Sequence, residues 1–232
     1  MAIDAAKESA ARFATTLVKE GMTVGLGSGS TSRIFVQLLG EKPFAPTLRC
    51  VSTSSSTDEV ARSVGLRLVD PNEVTEIDLT VDGADEATPG LELIKGGGGA
   101  LLREKLVATM TRFHVTIVDS SKMQPTLGSY ALPVEVVPYA LQVVERWVRR
   151  QIEQHGAEIE WLKLRRDAAG ALYKTDNHNN IFDIKVKAIQ RAASLGERLK
   201  GITGVVDHGL FVDLTHLIVC STAAGQIKEY RK

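Results

Sequence analysis

Cysteine is scarce in this sequence, and neither sign of charge is in excess. Only Cys50 and Cys220 occur, too few for a disulfide framework, and both lie near the ends of strand-like runs as expected for buried free thiols. Lys plus Arg and Asp plus Glu number 28 each, which argues against a basic nucleic-acid or membrane surface. No window approaches the roughly 18 apolar residues of a membrane span. The first residues, "MAIDAAKESAARFATTLVKEG", lack the apolar stretch of a signal peptide. We therefore expect a soluble, reduced, cytoplasmic protein with neither a nucleic-acid nor a membrane partner.

The first half of the chain alternates predicted strands with predicted helices. Apolar residues recur every three or four positions in the helical segments, and short apolar runs lie between them. This alternation favours an α/β fold, with a mostly parallel sheet covered on both faces. The predicted helices cover residues 3–20, 33–39, 57–64 and 100–110, and the predicted strands cover 22–27, 47–51, 66–69, 77–81, 91–94 and 114–119.

The pattern changes after about residue 125, where strands and helices follow the order β-α-β-β-β-α. Turns rich in Asp, Asn and Gly separate these strands, which is typical of a small α+β domain with an antiparallel sheet. We expect two further strands near the end to rejoin the first sheet. The predicted domains are therefore 1–127 with 206–232, and 128–205. In the second domain the predicted strands are 132–138, 158–164, 171–175 and 181–186, and the predicted helices are 139–154 and 187–199.

The stretch "GLGSGSTS", residues 25–32, leads from a strand through glycines into hydroxyl side chains that open a helix. Backbone N–H groups and the positive end of a helix attract an anion at such a turn. The spacing departs from the dinucleotide pattern G-x-G-x-x-G, because Ser30 takes the place of the third glycine, and no Walker lysine follows. A phosphate on a small sugar fits best, whereas a simple turn with Ser or Thr as helix cap is the alternative.

Two carboxylates follow a predicted parallel strand in "IDLTVDGADE". Ligands of open α/β sheets bind beyond the carboxyl ends of their strands, so Asp82 and Asp85 are expected in one crevice. Neighbouring carboxylates shift each other's pKa, which suits proton transfer. The alternatives are a metal site, for which no nearby His or Cys has ligand spacing, and simple capping of a turn.

The stretch "LIKGGGGALLREKL" places Lys95 after a short strand and before four glycines. A lysine there can extend into the crevice as a mobile positive charge, and glycines allow the backbone to approach a ligand closely. Glu104 lies in the first turn of the next helix between Arg103 and Lys105, so spacing alone predicts a solvated charged face.

The segment "DSSK", residues 119–122, again combines a strand end, hydroxyls and a lysine. Lys122 is thus a further candidate cation, although a lysine after a strand is commonly just exposed. His178 falls in a turn, and His208 is expected to be a core or interface residue rather than a base.

Taken in order and spacing, these segments resemble the ribose-5-phosphate isomerases of type A. "GLGSGSTS", "VDGADE" and "KGGGGALLREK" are similar to the motifs of that family, as are "LPVEVVP", "TDNHNNIFD" and "HGLF" further along the chain. The resemblance covers nearly the whole sequence. It implies a Rossmann-like domain interrupted by a smaller α+β domain, and a homodimer or homotetramer. It also implies interconversion of ribose 5-phosphate and ribulose 5-phosphate, in the non-oxidative pentose phosphate branch, without metal or organic cofactor.

The resemblance also implies a role for each matching residue. Glu104 corresponds to the general base that moves a proton between C2 and C1 through a cis-enediolate, and Lys95 to the cation that stabilises the enediolate oxygen. Asp82 corresponds to the acid–base group for ring opening, with Asp85 beside it on the sugar hydroxyls. Ser28 stands where the family usually has threonine, which keeps the hydroxyl. The implied substrate contacts are Lys7, Ser28, Gly29, Ser30, Thr31, Asp82, Gly83, Ala84, Asp85, Lys95, Gly96, Gly97, Gly98 and Lys122.

Two other functions are weaker interpretations of this sequence. A sugar-phosphate sensor of a transcription regulator would need a helix-turn-helix module, but only one predicted helix precedes the glycine turn. It would also leave Asp82, Lys95 and Glu104 unexplained. A dinucleotide-dependent dehydrogenase does not fit the glycine spacing.

Overall fold

The computed structural model describes residues 2–232, which fold into six α-helices and thirteen strands. The helices are α1 (Ala2–Thr15), α2 (Ser30–Gly40), α3 (Ser55–Ser63), α4 (Leu101–Thr109), α5 (Leu141–Gln154) and α6 (Ala192–Lys200). The strands are β1 (Thr23–Leu26), β2 (Arg49–Ser52), β3 (Ile77–Gly83), β4 (Glu86–Ala87), β5 (Leu93–Ile94), β6 (Thr111–Asp119), β7 (Leu132–Val136), β8 (Ile159–Leu164), β9 (Asn180–Val186), β10 (Val205–His208), β11 (Leu210–Phe211), β12 (Leu217–Ser221) and β13 (Ile227–Arg231). Within the described residues no helix has both the length and the apolar character needed to cross a membrane.

A six-stranded sheet in the order β13-β12-β6-β3-β1-β2 forms the larger layer. All its neighbours pair in parallel except β12 and β13, which confirms the predicted α/β class. Side chains on adjacent positions of β12 face opposite ways, as the strand period requires. Val219 joins the cluster beneath α1 and α2, whereas Ile218 packs with Ala108 of α4. Helices therefore cover both faces of the sheet.

A four-stranded antiparallel sheet, β10-β7-β9-β8, forms the smaller layer. Val144 and Val148 of α5 and Leu195 of α6 pack on its inner face with Val134 and Phe182. This arrangement agrees with the predicted antiparallel α+β unit.

Several predicted elements differ from those in the structure. Residues 171–175 and 66–69 do not form strands; each segment makes one isolated bridge, between Arg166 and Leu172 and between Cys50 and Leu68. A strand needs a full row of partners, and neither segment has one. The first helix ends at Thr15 rather than at residue 20, and the last begins at Ala192 rather than at 187. The terminal strand β13 was not predicted.

The last segment of the chain divides between the two layers. β12 returns to the large sheet as expected and is followed there by the unpredicted β13, but β10 pairs with β7 of the smaller sheet. The predicted boundary at residue 206 therefore falls inside β10. We propose a division in which 2–127 and 209–232 form the larger domain and 128–208 the smaller one. A third, three-stranded sheet, β11-β5-β4, lies at their junction.

Both cysteines are buried and free, as predicted. Burial raises the pKa of the Cys50 thiol to about 12.

Candidate active site

Fourteen of the fifteen predicted site residues line one cavity of about 330 Å³ at the carboxyl ends of β1, β3 and β6. The parallel strands β1, β3 and β6 carry their motifs to the same edge of the large sheet, where such folds bind ligands, whereas Lys95 and the glycine run follow β5 of the three-stranded sheet. Asp82 is the one predicted site residue that does not line this cavity. The lining consists of Lys7, Ser28, Gly29, Ser30, Thr31, Gly83, Ala84, Asp85, Lys95, Gly96, Gly97, Gly98, Val118, Asp119, Ser121, Lys122 and Glu104.

The glycine-serine turn forms one end of the cavity. Gly29 caps α2 with a positive φ of 98°, which glycine adopts without strain, and it makes no side-chain cap. A Ser or Thr cap, the alternative interpretation of this motif, is thus not what the structure shows. Ser30 and Thr31, the first residues of α2, line the cavity, and the start of a helix attracts an anion. Lys7 of α1 adds a positive charge there, with Nζ 3.0 Å from Ser30 Oγ.

The Ser28 hydroxyl belongs to a group of hydroxyls behind this turn. Its Oγ lies 2.8 Å from Thr53 Oγ1, 2.7 Å from Ser54 Oγ and 3.2 Å from Thr57 Oγ1. These three partners belong to the segment after β2, and no sequence motif had indicated them. They hold the turn against the start of α3.

Asp82 lies behind the cavity wall and is fully buried. Its Oδ1 accepts hydrogen bonds from the N–H groups of Ser28 and Gly83 and from the Ser32 hydroxyl. Its Oδ2 is 2.9 Å from Lys95 Nζ. Asp82 therefore connects the glycine-serine turn, its own strand β3 and the buried Lys95. Asp85, by contrast, faces the cavity, where its Oδ2 accepts from the Gly97 N–H at 2.7 Å.

Lys95 and Glu104 form a buried pair at the cavity floor. Their side chains are 2% and 6% exposed, and Lys95 Nζ is 3.3 Å from Glu104 Oε1. Nζ also donates to the carbonyl of Gly83. The expectation from spacing alone, that Glu104 is a solvated surface charge, is therefore wrong. The first turn of α4 packs against the sheet, and this packing buries Glu104.

The pKa of both groups follows from one cation lying beside two carboxylates. Burial raises the pKa of Glu104 to about 8; attraction to Lys95 opposes this rise and repulsion from Asp82 adds to it. Burial alone would lower the pKa of Lys95, but Asp82 and Glu104 together raise it above its usual range. Lys95 thus stays positive, and the pKa of Glu104 lies well above the ordinary glutamate value. Glu104 Oε2 is buried and has no hydrogen-bond partner within residues 2–232.

The glycine run forms the wall between Lys95 and Glu104. Gly96 and Gly99 have φ angles of 101° and 83°, a region that other residues rarely adopt. A Cβ at Gly97 would collide with Tyr130 Oη and lie 2.6 Å from Asp85 Oδ1. Close approach and unusual backbone angles therefore account for Gly96, Gly97 and Gly99.

Lys122 ends a short 3₁₀ turn, Ser120–Lys122, that follows β6. Asp119 caps this turn by accepting from the Ser121 N–H at 3.0 Å, and both residues line the cavity beside Lys122. The sequence had pointed to this segment, but of its residues only Lys122 was predicted to contact the substrate. His178, in a turn with φ of 64°, and His208, which is buried, lie outside the cavity.

The smaller domain supplies contacts that no motif indicated. Arg165 donates to the carbonyls of Gly96 and Gly97, and the Tyr173 hydroxyl donates to the carbonyl of Gly98. Arg103 of α4 is ion-paired with Asp176. No sequence pattern could have found these contacts, because the partners are about 70 residues apart in the chain. Within residues 2–232, no cluster of three or more His, Cys, Asp or Glu side chains is arranged to hold a metal ion.

A buried carboxylate and cation beside an anion-binding turn suit proton transfer on a small phosphorylated molecule. A family model described as ribose 5-phosphate isomerase A (phosphoriboisomerase A) matches residues 49–225. The chain belongs to this family. A ribose-5-phosphate isomerase A of Thermomicrobium roseum is 46% identical over 229 residues, covering 97% of this chain and 93% of the relative. That of Desulfatibacillum aliphaticivorans is 43% identical, covering 96% and 95%.

Solved structures of the family share the whole fold. The ribose 5-phosphate isomerase of Plasmodium falciparum has a TM-score of 0.91 at 33% identity, covering 100% of this chain and 99% of the other. A D-ribose-5-phosphate isomerase in complex with phospho-erythronic acid has a TM-score of 0.92 at 30% identity, with both chains fully covered. The similarity to these structures spans both sheets, and it includes every residue that lines the cavity.

Proposed function

We propose that this protein interconverts D-ribose 5-phosphate and D-ribulose 5-phosphate through a cis-enediolate. The observation that supports this most directly is the unpartnered Oε2 of Glu104, buried at the cavity floor beside the Lys95 ammonium. A general base needs a free oxygen and a pKa near the working pH, and Glu104 has both. The family to which the chain belongs acts on this pair of sugar phosphates.

In the proposed reaction Glu104 takes the proton from C2 of the open-chain aldose. The released electron pair forms the C1–C2 double bond, and the negative charge moves to O1. Lys95 and a free peptide N–H of the glycine run stabilise that charge, which is the effect expected of pre-placed donors. The hydroxyl proton then passes from O2 to O1, and Glu104 returns its proton to C1. The net change is one carbonyl moved from C1 to C2.

The two aspartates take different parts in this scheme. Asp85 lines the cavity and can contact the sugar hydroxyls and the ring oxygen, so we assign it the proton transfer of ring opening. Asp82 contacts Lys95 rather than the cavity, and we assign it to holding the cation in place. This differs from the direct role in ring opening that the resemblance implies for Asp82.

The phosphate end of the substrate is assigned to the turn at the start of α2. Ser30 and Thr31 offer hydroxyls and backbone N–H groups, Lys7 contacts Ser30, and Lys122 adds a second positive charge to the cavity lining. Phospho-erythronic acid, the compound bound in the related isomerase, has a phosphate and a carboxylate. It is therefore a suitable probe of both ends of this cavity.

We further propose a cytoplasmic homodimer or homotetramer, as the family resemblance implies. Large apolar side chains at the surface support self-association: Tyr139 before α5 is 83% exposed, and Trp147 within α5 is 46% exposed. Light scattering after size-exclusion chromatography measures the assembly directly.

Conversion of ribose 5-phosphate in D₂O with EDTA present tests the proposed reaction. An enediolate exposes the transferred proton to solvent, so we expect deuterium at C1 of the ribulose 5-phosphate, seen by ¹H NMR. The family resemblance predicts full activity in EDTA. Product without deuterium would indicate a direct hydride shift, and loss of activity in EDTA would indicate a metal requirement.

A further inference from the structure

The peptide groups of the glycine run are held from the smaller domain. Arg165 Nη1 lies 3.0 Å from the Gly96 carbonyl oxygen and 3.1 Å from that of Gly97. A single guanidinium therefore binds two successive carbonyls of the wall that faces the substrate.

Arg165 is itself held in one orientation. Its Nε donates to Asp183 Oδ2 at 2.8 Å and its Nη2 donates to Asp183 Oδ1, so the ion pair is bidentate. Asp183 lies within β9, a central strand of the smaller sheet. The Arg165 side chain is only 12% exposed, and its guanidinium lies over the Tyr173 ring at 5.6 Å. The orientation of the Arg165 guanidinium is thus set by Asp183 of the smaller sheet and not by the glycine run.

These bonds determine which N–H groups remain available to a ligand. The Gly97 N–H is taken by Asp85, and the Gly99 N–H donates to the Gly96 carbonyl. Within residues 2–232 the Gly98 N–H has no acceptor, although Gly98 lines the cavity. In a trans peptide the N–H points away from the carbonyl of the preceding residue. Since Arg165 binds the carbonyl of Gly97, the Gly98 N–H points away from Arg165.

We propose that Arg165, oriented by Asp183, is a positioning residue that directs the Gly98 N–H at the developing oxyanion of the substrate. Without the guanidinium, four glycines would sample many peptide orientations. The donor is useful only if it is already aimed when charge develops on the sugar. Arg165 touches no reacting atom, and the inference rests on the proposed isomerase function.

The test measures kcat and KM for Arg165→Ala beside the wild type and Arg166→Ala. Arg166 is the matched control, because it is exposed and its guanidinium donates, within residues 2–232, to the Gly170 carbonyl of its own turn and not to the glycine run. Loss of orientation at a reacting centre costs on the order of 10²-fold, so we expect kcat of Arg165→Ala to fall by about that factor with KM little changed. Added guanidinium chloride at non-denaturing concentration should restore part of kcat, whereas sodium chloride at equal ionic strength should not.

If the Arg165→Ala protein does not fold, a second variant and a second measurement test the same role. In Arg165→Lys the ammonium cannot bind two carbonyls and both Asp183 oxygens, so kcat should again fall. With ¹⁵N-glycine labelling, the Gly98 amide, assigned by its absence in Gly98→Ala, should shift when phospho-erythronic acid binds the wild type. That shift should be lost in Arg165→Lys.

The outcomes separate this inference from the proposed function. A wild-type protein without isomerase activity contradicts the function itself. An active wild type with kcat unchanged in both Arg165 variants, a defect confined to KM, or the same Gly98 shift in Arg165→Lys would each overturn the positioning role.

Discussion

The Lys95 ammonium lies 3.3 Å from the Glu104 carboxylate, and both groups are withdrawn from solvent. Lys95 also contacts Asp82 at 2.9 Å, so one cation serves two carboxylates. Two buried negative charges beside one positive charge are not balanced, and protonation of one carboxylate relieves the excess. Asp82 Oδ1 accepts three hydrogen bonds, and burial raises the pKa of Glu104 to about 8 against the attraction of Lys95. Glu104 therefore keeps its proton well above the ordinary glutamate pKa.

Glu104→Gln should abolish most of the activity while preserving the fold. The amide keeps the shape of the side chain but cannot accept the C2 proton. General-base catalysis contributes on the order of 10²–10⁴-fold, and we expect kcat to fall within that range. Steady-state kinetics on ribose 5-phosphate measures this, with Glu59→Gln on the exposed side of α3 as control. Turnover within tenfold of wild type would rule out Glu104 as the base.

The pH dependence should show the raised pKa of Glu104 in activity. Glu104 must be ionised to act as base, so kcat/KM of the free enzyme should rise with pH and level off above about pH 8. A rise centred near the ordinary glutamate value of 4.5 would contradict the role of burial.

Stability should change with pH in the opposite direction. The folded protein keeps the Glu104 proton up to about pH 8, whereas the unfolded chain releases it near 4.5, so this contribution to the free energy of unfolding is lost as pH rises through 8. His114 and His208 act in the reverse sense: burial lowers the pKa of each to about 3, so their contribution is lost as pH falls below 6.5.

Urea unfolding between pH 6.5 and 8 measures the Glu104 contribution in the range where that of the two histidines changes least. Wild type should lose stability across this interval, and Glu104→Gln should lose less.

Lys95→Met should reduce both stability and kcat, and a second substitution should separate the two effects. Removing the cation leaves Asp82 buried without its partner, which costs about 3–5 kcal/mol. Adding Asp82→Asn removes that charge and should recover much of the stability while kcat remains low. Urea unfolding and steady-state kinetics of the single and double variants measure both. A double variant no more stable than Lys95→Met would attribute the loss to packing.

Lys7→Ala should weaken substrate binding without affecting the chemical step. Lys7 donates a hydrogen bond to the Ser30 hydroxyl of the glycine-serine turn. Its side chain is partly exposed, so solvent screens its charge. We expect KM to rise about two- to fivefold, which corresponds to the upper range of about 1 kcal/mol for an exposed pair. The effect should shrink at high ionic strength. Lys19→Ala, an exposed lysine outside the cavity, is the control. A large loss of kcat in Lys7→Ala would contradict a role limited to binding.

Substitution by alanine should affect neighbouring glycines differently. In Gly97→Ala the added Cβ collides with Tyr130 Oη and Asp85 Oδ1, so the wall must shift and both stability and kcat should fall. In Gly98→Ala the Cβ meets no atom within 4 Å, and stability should stay within about 1 kcal/mol of wild type, the ordinary range for such a change. Thermal unfolding of both variants checks the contrast, which would fail if Gly98→Ala were the less stable.

The placement of the site could be predicted because local patterns and sheet topology agree. The strand runs before Asp82 and Lys122 predict side chains at one edge of a parallel sheet, and the structure brings both motifs to that edge. Lys95 instead follows β5 of the three-stranded antiparallel sheet, so its place in the same cavity does not come from the parallel sheet. The strand predicted at 171–175 failed because a strand exists only through its partners, and one bridge at Leu172 is all that forms. Local composition does not encode that pairing.

The sequence by itself therefore determined the α/β class, the order of the motifs and, through the family resemblance, the residue types of the site. Only the tertiary structure decided the state of those residues. Glu104 is an ordinary glutamate between two basic residues until packing of α4 removes it from water and raises its pKa. Arg165 contacts Gly96 across 69 positions of the chain. Burial and long-range contact depend on the whole folded chain, and no local window of sequence contains them.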